Sequence, residues 1–105
     1  MIVRMWKGYA TAERAIRYTR HATCTVFPKL EAIFGFRGAY LLQRPVEEGV
    51  EFLVLTLWDS MDVVRQFAGD RVDQAVVEPQ ARSLLSRFDD LVTHFQVVAT
   101  GTEFH

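Results

Sequence analysis

Cysteine is almost absent from this chain, with Cys24 the only one among 105 residues. A single cysteine cannot form a disulfide within the chain, and unpaired thiols are typical of proteins from a reducing compartment. Clusters of histidine, cysteine, aspartate and glutamate with zinc-site spacing are also lacking. The sequence therefore predicts a cytoplasmic protein that folds without disulfides, and we expect neither a metal site nor a cofactor.

An excess of one charge sign is lacking too. The chain has 12 lysines and arginines against 13 aspartates and glutamates, which gives a formal net charge of -1. Without a basic stripe, nucleic acid is not an expected partner. Arg4, Lys7, Glu13 and Arg14 interrupt the apolar residues near the start, which argues against a signal peptide, a transmembrane helix and a membrane partner.

The apolar content, by contrast, is high for a small chain. Half of the residues are hydrophobic and 12% are aromatic, which is enough for one core and one domain over residues 1–105. The surplus leaves room for an apolar surface buried between two copies. We therefore expect a homodimer.

The most informative stretch is residues 51–69, where an apolar run stops at Asp59 and Ser60 and an amphipathic segment follows as far as Gly69. The run is rich in leucine and β-branched residues, which predicts a buried strand. Asp59 or Ser60 can cap the next helix, and Gly69 can end it in a left-handed conformation. A strand that leads directly into a helix, with Trp58 at the junction, predicts a sheet covered by helices and a pocket at its edge.

The rest of the chain predicts further strands at residues 1–9, 36–44 and 91–100, with a short tail at 101–105. Thr11 can cap a first helix that kinks or restarts near Pro28, since proline lacks an N–H, and ends at Gly35. A second helical region begins near Ser60 and is broken at residues 69–70 and at Pro79. The apolar stripe of the first helix is assigned by its spacing to Ala15, Ile16, Thr19, Ala22, Thr23, Val26, Phe27, Leu30 and Ile33.

This order, βαββαβ, is that of a ferredoxin-like α+β fold with a four-stranded antiparallel sheet and helices on one face. The other sheet face would expose apolar side chains such as Val3, Leu41, Leu53 and Val97. Two such sheets that pack face to face would cover them, which predicts a dimeric α+β barrel.

The segments Phe-Leu-Val-Leu-Thr-Leu-Trp-Asp-Ser (52–60) and Phe-Ala-Gly (67–69) resemble the antibiotic-biosynthesis-monooxygenase (ABM) domain group. Ile-Phe-Gly-Phe-Arg-Gly-Ala-Tyr (33–40) and Val-Thr-His-Phe-Gln-Val (92–97) resemble it as well. The resemblance covers residues 1–98 and implies the dimeric barrel. The group includes cofactor-free oxygenases, haem degraders and members of unknown activity.

The candidate site residues each have a functional and a structural interpretation. His94 is a candidate general base or a half-buried histidine satisfied by a neighbour. Trp6, Trp58 and Phe67 are candidate walls for an aromatic substrate or core residues. Tyr40 is a candidate hydroxyl donor, and Arg4 and Arg37 could stabilise an oxyanion or pair with carboxylates across a dimer. We expect His21 to face solvent beside Arg17 and Arg20, and Cys24 to be a small buried side chain without chemistry.

The haem-degrading branch of the resemblance implies an asparagine on the first strand, a tryptophan after Trp58 and a haem-ligating histidine further on. This chain has Trp6 or Lys7, Phe67 and a position near Val77 at those places. Since an imidazole is needed to hold haem iron there, we do not expect haem binding.

Three functions follow as hypotheses. The resemblance implies a small cofactor-independent monooxygenase that acts on a phenol- or quinol-like aromatic molecule, with His94, Arg37 and Tyr40 as catalytic candidates. A non-catalytic ligand-binding or structural dimer is the alternative, because a fold alone does not fix a function. A haem degrader or an isomerase on the same scaffold is a further alternative.

Overall fold

The computed structural model of the chain describes residues 1–101, so most of the predicted tail, 102–105, lies outside the described residues. The strands are β1 (Ile2–Ala10), β2 (Phe36–Val46), β3 (Gly49–Trp58), β4 (Arg87–Phe88) and β5 (Thr93–Gln96). The helices are α1 (Ala12–His21), α2 (Phe27–Glu31), α3 (Met61–Ala68) and α4 (Pro79–Leu84), and a π-helical turn (Ala22–Val26) joins α1 to α2. The fold is α+β, with an antiparallel sheet and helices on one sheet face.

The sheet has the order β2-β3-β1-β4, and β5 also pairs with β1. The predicted βαββαβ order is confirmed, with one difference. The strand expected at 91–100 is shortened to β5, and a two-residue strand that was not predicted, β4, precedes it; the two pair with opposite ends of β1. Between them the chain leaves the sheet, and Leu91 forms an isolated bridge with Gln74. The described sheet therefore has five strands rather than four.

The helix boundaries follow the predicted local signals. Thr11 caps α1 by accepting a hydrogen bond from the Arg14 N–H, and Ser60 caps α3 in the same way through Val63. The expected restart near Pro28 is confirmed, because Pro28 lies in the first turn of α2, directly after the π-helical turn. Pro79 begins α4 rather than breaking a helix, and the preceding residues 69–78 are not helical.

The buried face of α1 differs from the predicted stripe. Ala15, Tyr18, His21 and Ala22 are buried, whereas Ile16 is 69% exposed. His21 is 3% exposed, so the expectation that it faces solvent was wrong. Tyr18 sits against Phe52 of β3, with ring centroids 4.7 Å apart, and this contact sets which side of the helix meets the sheet.

Cys24 was expected to be buried, and it is exposed. It lies in the π-helical turn, where the chain widens before Pro28 and residues 23 and 24 point away from the sheet. The register of the turn, rather than the apolar character of the thiol, decides its position.

The two sheet faces differ in what covers them. On the helix face, Phe52 and Trp58 are fully buried, each in its own core cluster. On the outer face, the cross-strand pairs Val3–Leu57, Met5–Leu55 and Tyr40–Leu55 lie side by side. Tyr40, Leu42 and Phe95 on that face are 60%, 43% and 51% exposed.

Leu41 was predicted to lie on the outer face, and this was wrong. It pairs with Val54, packs against the core cluster around Phe52 and is half-buried. A bulge between Phe36 and Gly38 shifts the register of β2 by one residue, and such a shift moves every later side chain to the opposite face.

Candidate functional site

A cavity of about 260 Å³ lies between the helices and the sheet. Its wall is mostly apolar, with contributions from β1, β3, the α1–α2 helical segment, α3 and residues 75–78. The aromatic and aliphatic lining includes Trp6, Tyr18, Phe27, Val54, Phe67 and Val77. Ligand pockets for drug-sized molecules measure about 300–1,000 Å³, so this cavity suits a molecule of about two fused rings.

Arg4 is a charged group in this mainly apolar wall, and it is only 5% exposed. It stands mid-strand on β1 and points to the helix face, like its cross-strand neighbour Thr56. Its Nη1 donates to the Val72 carbonyl at 2.7 Å, and its Nη2 donates to the Gln74 carbonyl at 2.9 Å. The guanidinium therefore ties the non-helical segment 69–78, which closes one side of the cavity, to the middle of the sheet.

The predicted base, His94, is the cross-strand partner of Arg4 on β5. Its Nε2 lies 2.9 Å from Arg4 Nη1, and its Nδ1 lies 3.5 Å from the Asp73 carboxylate. Since a guanidinium only donates, Nε2 must accept, and the imidazole is neutral with its proton on Nδ1. His94 thus helps to hold Arg4, which lines the cavity, and is not itself among the lining residues. Its role as a base stays a prediction.

The pKa of His94 is lowered from its ordinary value by burial first and by the charge of Arg4 second, against the opposing pull of Asp73. Burial also lowers the pKa of Arg4, which stays protonated at neutral pH because arginine starts so high. A proton added to His94 would remove one of the three acceptors of Arg4 and place two cations side by side.

This geometry predicts a pH-dependent loss of stability. The folded state holds His94 neutral, so the unfolded state binds more protons once the pH falls below about 6.5. The contribution of His94 is therefore complete above that pH and decreases as the pH falls further. Between pH 7.5 and pH 5, the Tm of the native protein should fall by a few degrees more than that of His94→Gln, whose amide oxygen still accepts from Arg4. Parallel falls in the two proteins would contradict the assignment.

The other predicted residues divide into two groups. Trp6 and Phe67 line the cavity. The Phe67 ring lies 5.7 Å from the Arg4 guanidinium, and the Trp6 indole N–H donates to the Asp89 carbonyl at 2.7 Å. Trp58 is fully buried behind this wall, where it stacks on Phe67 at 5.3 Å and donates to Thr56 Oγ1 at 2.8 Å.

Arg37 and Tyr40 do not join the cavity. Arg37 pairs with Asp59 at the surface, and Tyr40 projects from the outer sheet face. The structure therefore brings Arg4, Trp6 and Phe67 together, places His94 behind Arg4, and leaves these two elsewhere. Their catalytic roles stay predictions.

His21 is the site residue that the sequence analysis missed. It lines the cavity, and both ring nitrogens are buried without a hydrogen-bond partner among residues 1–101. An unsatisfied buried donor or acceptor costs about 1–3 kcal/mol, so this arrangement needs an explanation. The available signal was its spacing of three residues from Tyr18, which places both side chains on one helix face.

An ion pair joins two charged residues of the cavity wall. Lys29 and Glu78, both in the lining, form an ion pair of 3.3 Å that connects α2 to the end of segment 69–78. No group of three or more potential metal ligands is present among the described residues.

Within residues 1–101, no helix is long and apolar enough to cross a membrane.

Comparison with known proteins places this geometry in a known fold. No protein-family model matches the sequence, and no curated protein does. Among solved structures, a protein of Deinococcus radiodurans, provisionally named an antibiotic biosynthesis monooxygenase, is 13% identical with a TM-score of 0.67, and the match covers 100% of both chains. The haem degrader MhuD of Mycobacterium tuberculosis, with two haems in its active site, is 19% identical with a TM-score of 0.62, covering 97% of this chain and 100% of that one.

SnoaB, a cofactor-independent oxygenase from Streptomyces nogalater, is 14% identical with a TM-score of 0.56, and the match covers 97% of this chain and 95% of that one. Identities this low establish a shared fold, while the chemistry depends on the residues of each chain. The likeness seen in the sequence is thereby confirmed at the level of architecture, and the chain has the fold of the antibiotic-biosynthesis-monooxygenase group.

Proposed function

We propose that this protein binds a small aromatic phenol or quinol in the cavity and oxidises it with O₂ without a cofactor. The observation that carries the proposal is the buried guanidinium of Arg4 in a mainly apolar cavity with aromatic walls. A positive charge held in a dry site stabilises a developing phenolate far better than water-exposed charge does. The aromatic walls would hold the ring of the ligand.

The reaction balances without any further reagent. A bound phenol such as 1-naphthol loses its hydroxyl proton, and the phenolate passes one electron to O₂. The two radicals combine at the ring carbon opposite the oxygen, and the resulting hydroperoxide loses water to give the quinone. One naphthol and one O₂ thus yield one naphthoquinone and one water. The protein would supply the proton acceptor, the positive charge of Arg4 and the exclusion of bulk water.

Oxygen uptake with a panel of naphthols and hydroquinones tests this proposal. Val54 lines the cavity, and Val54→Phe fills part of it, so uptake should fall at least about tenfold, by analogy with misplacement of a bound reactant. Ile16→Phe adds a similar aromatic side chain on the exposed face of α1 and serves as the matched control. Uptake at the spontaneous rate with every substrate, or equal uptake by all three proteins, would contradict the proposal.

Haem is a second candidate ligand, and His21 is the observation that favours it. The expectation against haem relied on the lack of an imidazole near Val77, whereas His21 places one elsewhere in the cavity wall. The volume of about 260 Å³ still argues against a four-pyrrole macrocycle.

We therefore predict no sharp Soret shift when haem is added at one equivalent. A shift that disappears in His21→Phe and persists in His94→Gln would identify haem as a ligand and His21 as its donor.

We also propose that two copies associate through their outer sheet faces. Val3, Met5, Leu53, Leu55 and Leu57 are half-buried there, beside the exposed Tyr40, Leu42 and Phe95. An antiparallel sheet commonly leaves one face in water, but that face is then polar, whereas this one is mainly apolar. A second copy of the same face would cover it and form a barrel with the cavities on the outside of the joined sheets.

A further inference from the structure

We infer that His21 is the hydrogen-bonding partner of the ligand hydroxyl, and the group that takes its proton. This inference rests on the proposed function, because it names the residue of the same cavity that recognises the phenol. It assigns the role to a helix residue on α1 rather than to His94 on β5.

The first observation that supports this role is that the His21 imidazole is buried without a hydrogen-bond partner among the described residues. His21 is 97% buried, since its exposed fraction is 3%, and neither Nδ1 nor Nε2 has a hydrogen-bond partner in the described part of the chain. Buried polar side chains in native proteins are nearly always satisfied, and exceptions mark sites where another molecule completes the bonding. A neutral imidazole has one donor and one acceptor, and a phenol hydroxyl offers the complementary pair.

The second observation is the position of His21 in the cavity wall. His21 lines the same cavity as Arg4, with Trp6 and Phe67 among the other lining residues. A proton acceptor and a positive charge in one cavity are the two groups that phenol ionisation needs. His94, by contrast, has Nε2 engaged by Arg4 at 2.9 Å and Nδ1 near Asp73, so neither nitrogen is free for a ligand in this arrangement.

The sequence around His21 shows why it is placed there. It is three residues after Tyr18 and next to Ala22, both of them buried, so the packing of α1 on the sheet turns the imidazole inward. The π-helical turn begins at the next residue, Ala22, and such turns occur often at functional sites because they change which face a helix presents.

The test compares two probes of similar size, 1-naphthol and 1-methylnaphthalene, by equilibrium dialysis against the full-length protein. The native protein should prefer the naphthol by about tenfold or more, because the methyl group leaves the imidazole unpaired. His21→Phe should bring the ratio of the two affinities to about one while the methyl compound still binds. His21→Gln, which keeps a donor and an acceptor, should restore part of the preference, and His94→Gln should keep it.

Stability provides a second readout. If His21 served only the fold, His21→Phe would lower the Tm, whereas removal of an unsatisfied polar group should leave the Tm unchanged or higher. A preference for naphthol that survives His21→Phe, or one that His94→Gln abolishes instead, would overturn the inference. Absence of binding by either probe would overturn it together with the proposed function.

The remaining outcomes distinguish a failure of the proposed oxygenase function from a failure of the role assigned to His21. A naphthol preference that depends on His21, without oxygen uptake above the spontaneous rate, would leave the inference standing and remove the oxygenase chemistry. Oxygen uptake that Val54→Phe abolishes and His21→Phe leaves unchanged would keep the oxygenase and remove His21 from it.

Discussion

Replacing Arg4 with leucine should lower the free energy of unfolding by about 2–6 kcal/mol. The substitution removes two charge-assisted hydrogen bonds, to the part-buried carbonyls of Val72 and Gln74, and a hydrogen bond to a charged group contributes about 1.5–3 kcal/mol. It also leaves His94 Nε2 unpaired. Because domains are stable by only about 5–15 kcal/mol, this substitution should remove a large part of the free energy of unfolding.

The loss should be concentrated at segment 69–78. Amide hydrogen exchange in residues 72–76 should accelerate more than in β3, because Arg4 ties that segment to the sheet. Arg37→Leu is the matched control, since it removes an arginine from a strand but breaks only an exposed pair with Asp59. Such pairs contribute about 0–1 kcal/mol, so the control should unfold almost like the native protein. Equal losses in the two variants would show that the Arg4 network does not stabilise the fold.

Leu42→Lys should convert the proposed dimer into a folded monomer. Leu42 is 43% exposed in the single chain, so lysine is tolerated there, but in a two-fold dimer both copies would bury a charge at the interface. An uncompensated buried charge costs about 3–5 kcal/mol, which corresponds to a factor of about 10²–10³ or more in Kd.

Light scattering at micromolar concentration would show this change. The native protein should have twice the mass of the chain and bury more than about 1,200 Å² in total at the interface. Ile16→Lys, on the exposed side of α1, should remain a dimer. A native monomer, or a Leu42→Lys dimer as tight as the native one, would remove the proposed association through the outer face.

Local signals in the sequence were sufficient for most of the fold. Thr11, Ser60, Pro28 and Gly69 act within a few residues of where they stand, through a side-chain oxygen, a missing N–H or a positive φ, and each marks an observed helix boundary or restart. The apolar run before Trp58 predicted β3, in which the residues of both faces are mainly apolar and Phe52 and Trp58 are fully buried on the helix face.

The site was less predictable, for physical reasons that particular residues show. The predicted buried stripe of α1 included Ile16. In the structure Ile16 is exposed, because the helix instead packs Tyr18 against Phe52 of the sheet. Because the stripe was misplaced, His21 was assigned to the solvent-facing side of α1. Two of the three acceptors of Arg4 are backbone carbonyls, which every residue carries, so no sequence pattern could indicate Val72 and Gln74.

The outer and inner faces of β2 could not be told apart from the alternation alone. The bulge at residues 36–38 shifts the register by one, and this put Leu41 inside and left Tyr40 and Leu42 outside. A one-residue shift in strand register does not change the pattern of residues in the sequence, yet it exchanges the two faces of the strand.

The cavity on the helix face, and not the apolar outer face, should hold the aromatic ligand. Nuclear Overhauser effects between 1-naphthol protons and methyl groups of the labelled protein measure this directly. Val26 and Val54 line the cavity, whereas Leu53 and Leu55 point to the outer face. If the cavity binds the ligand, the naphthol should show contacts to the two valines and none to the two leucines. Contacts to Leu53 and Leu55 without any to Val26 and Val54 would contradict it.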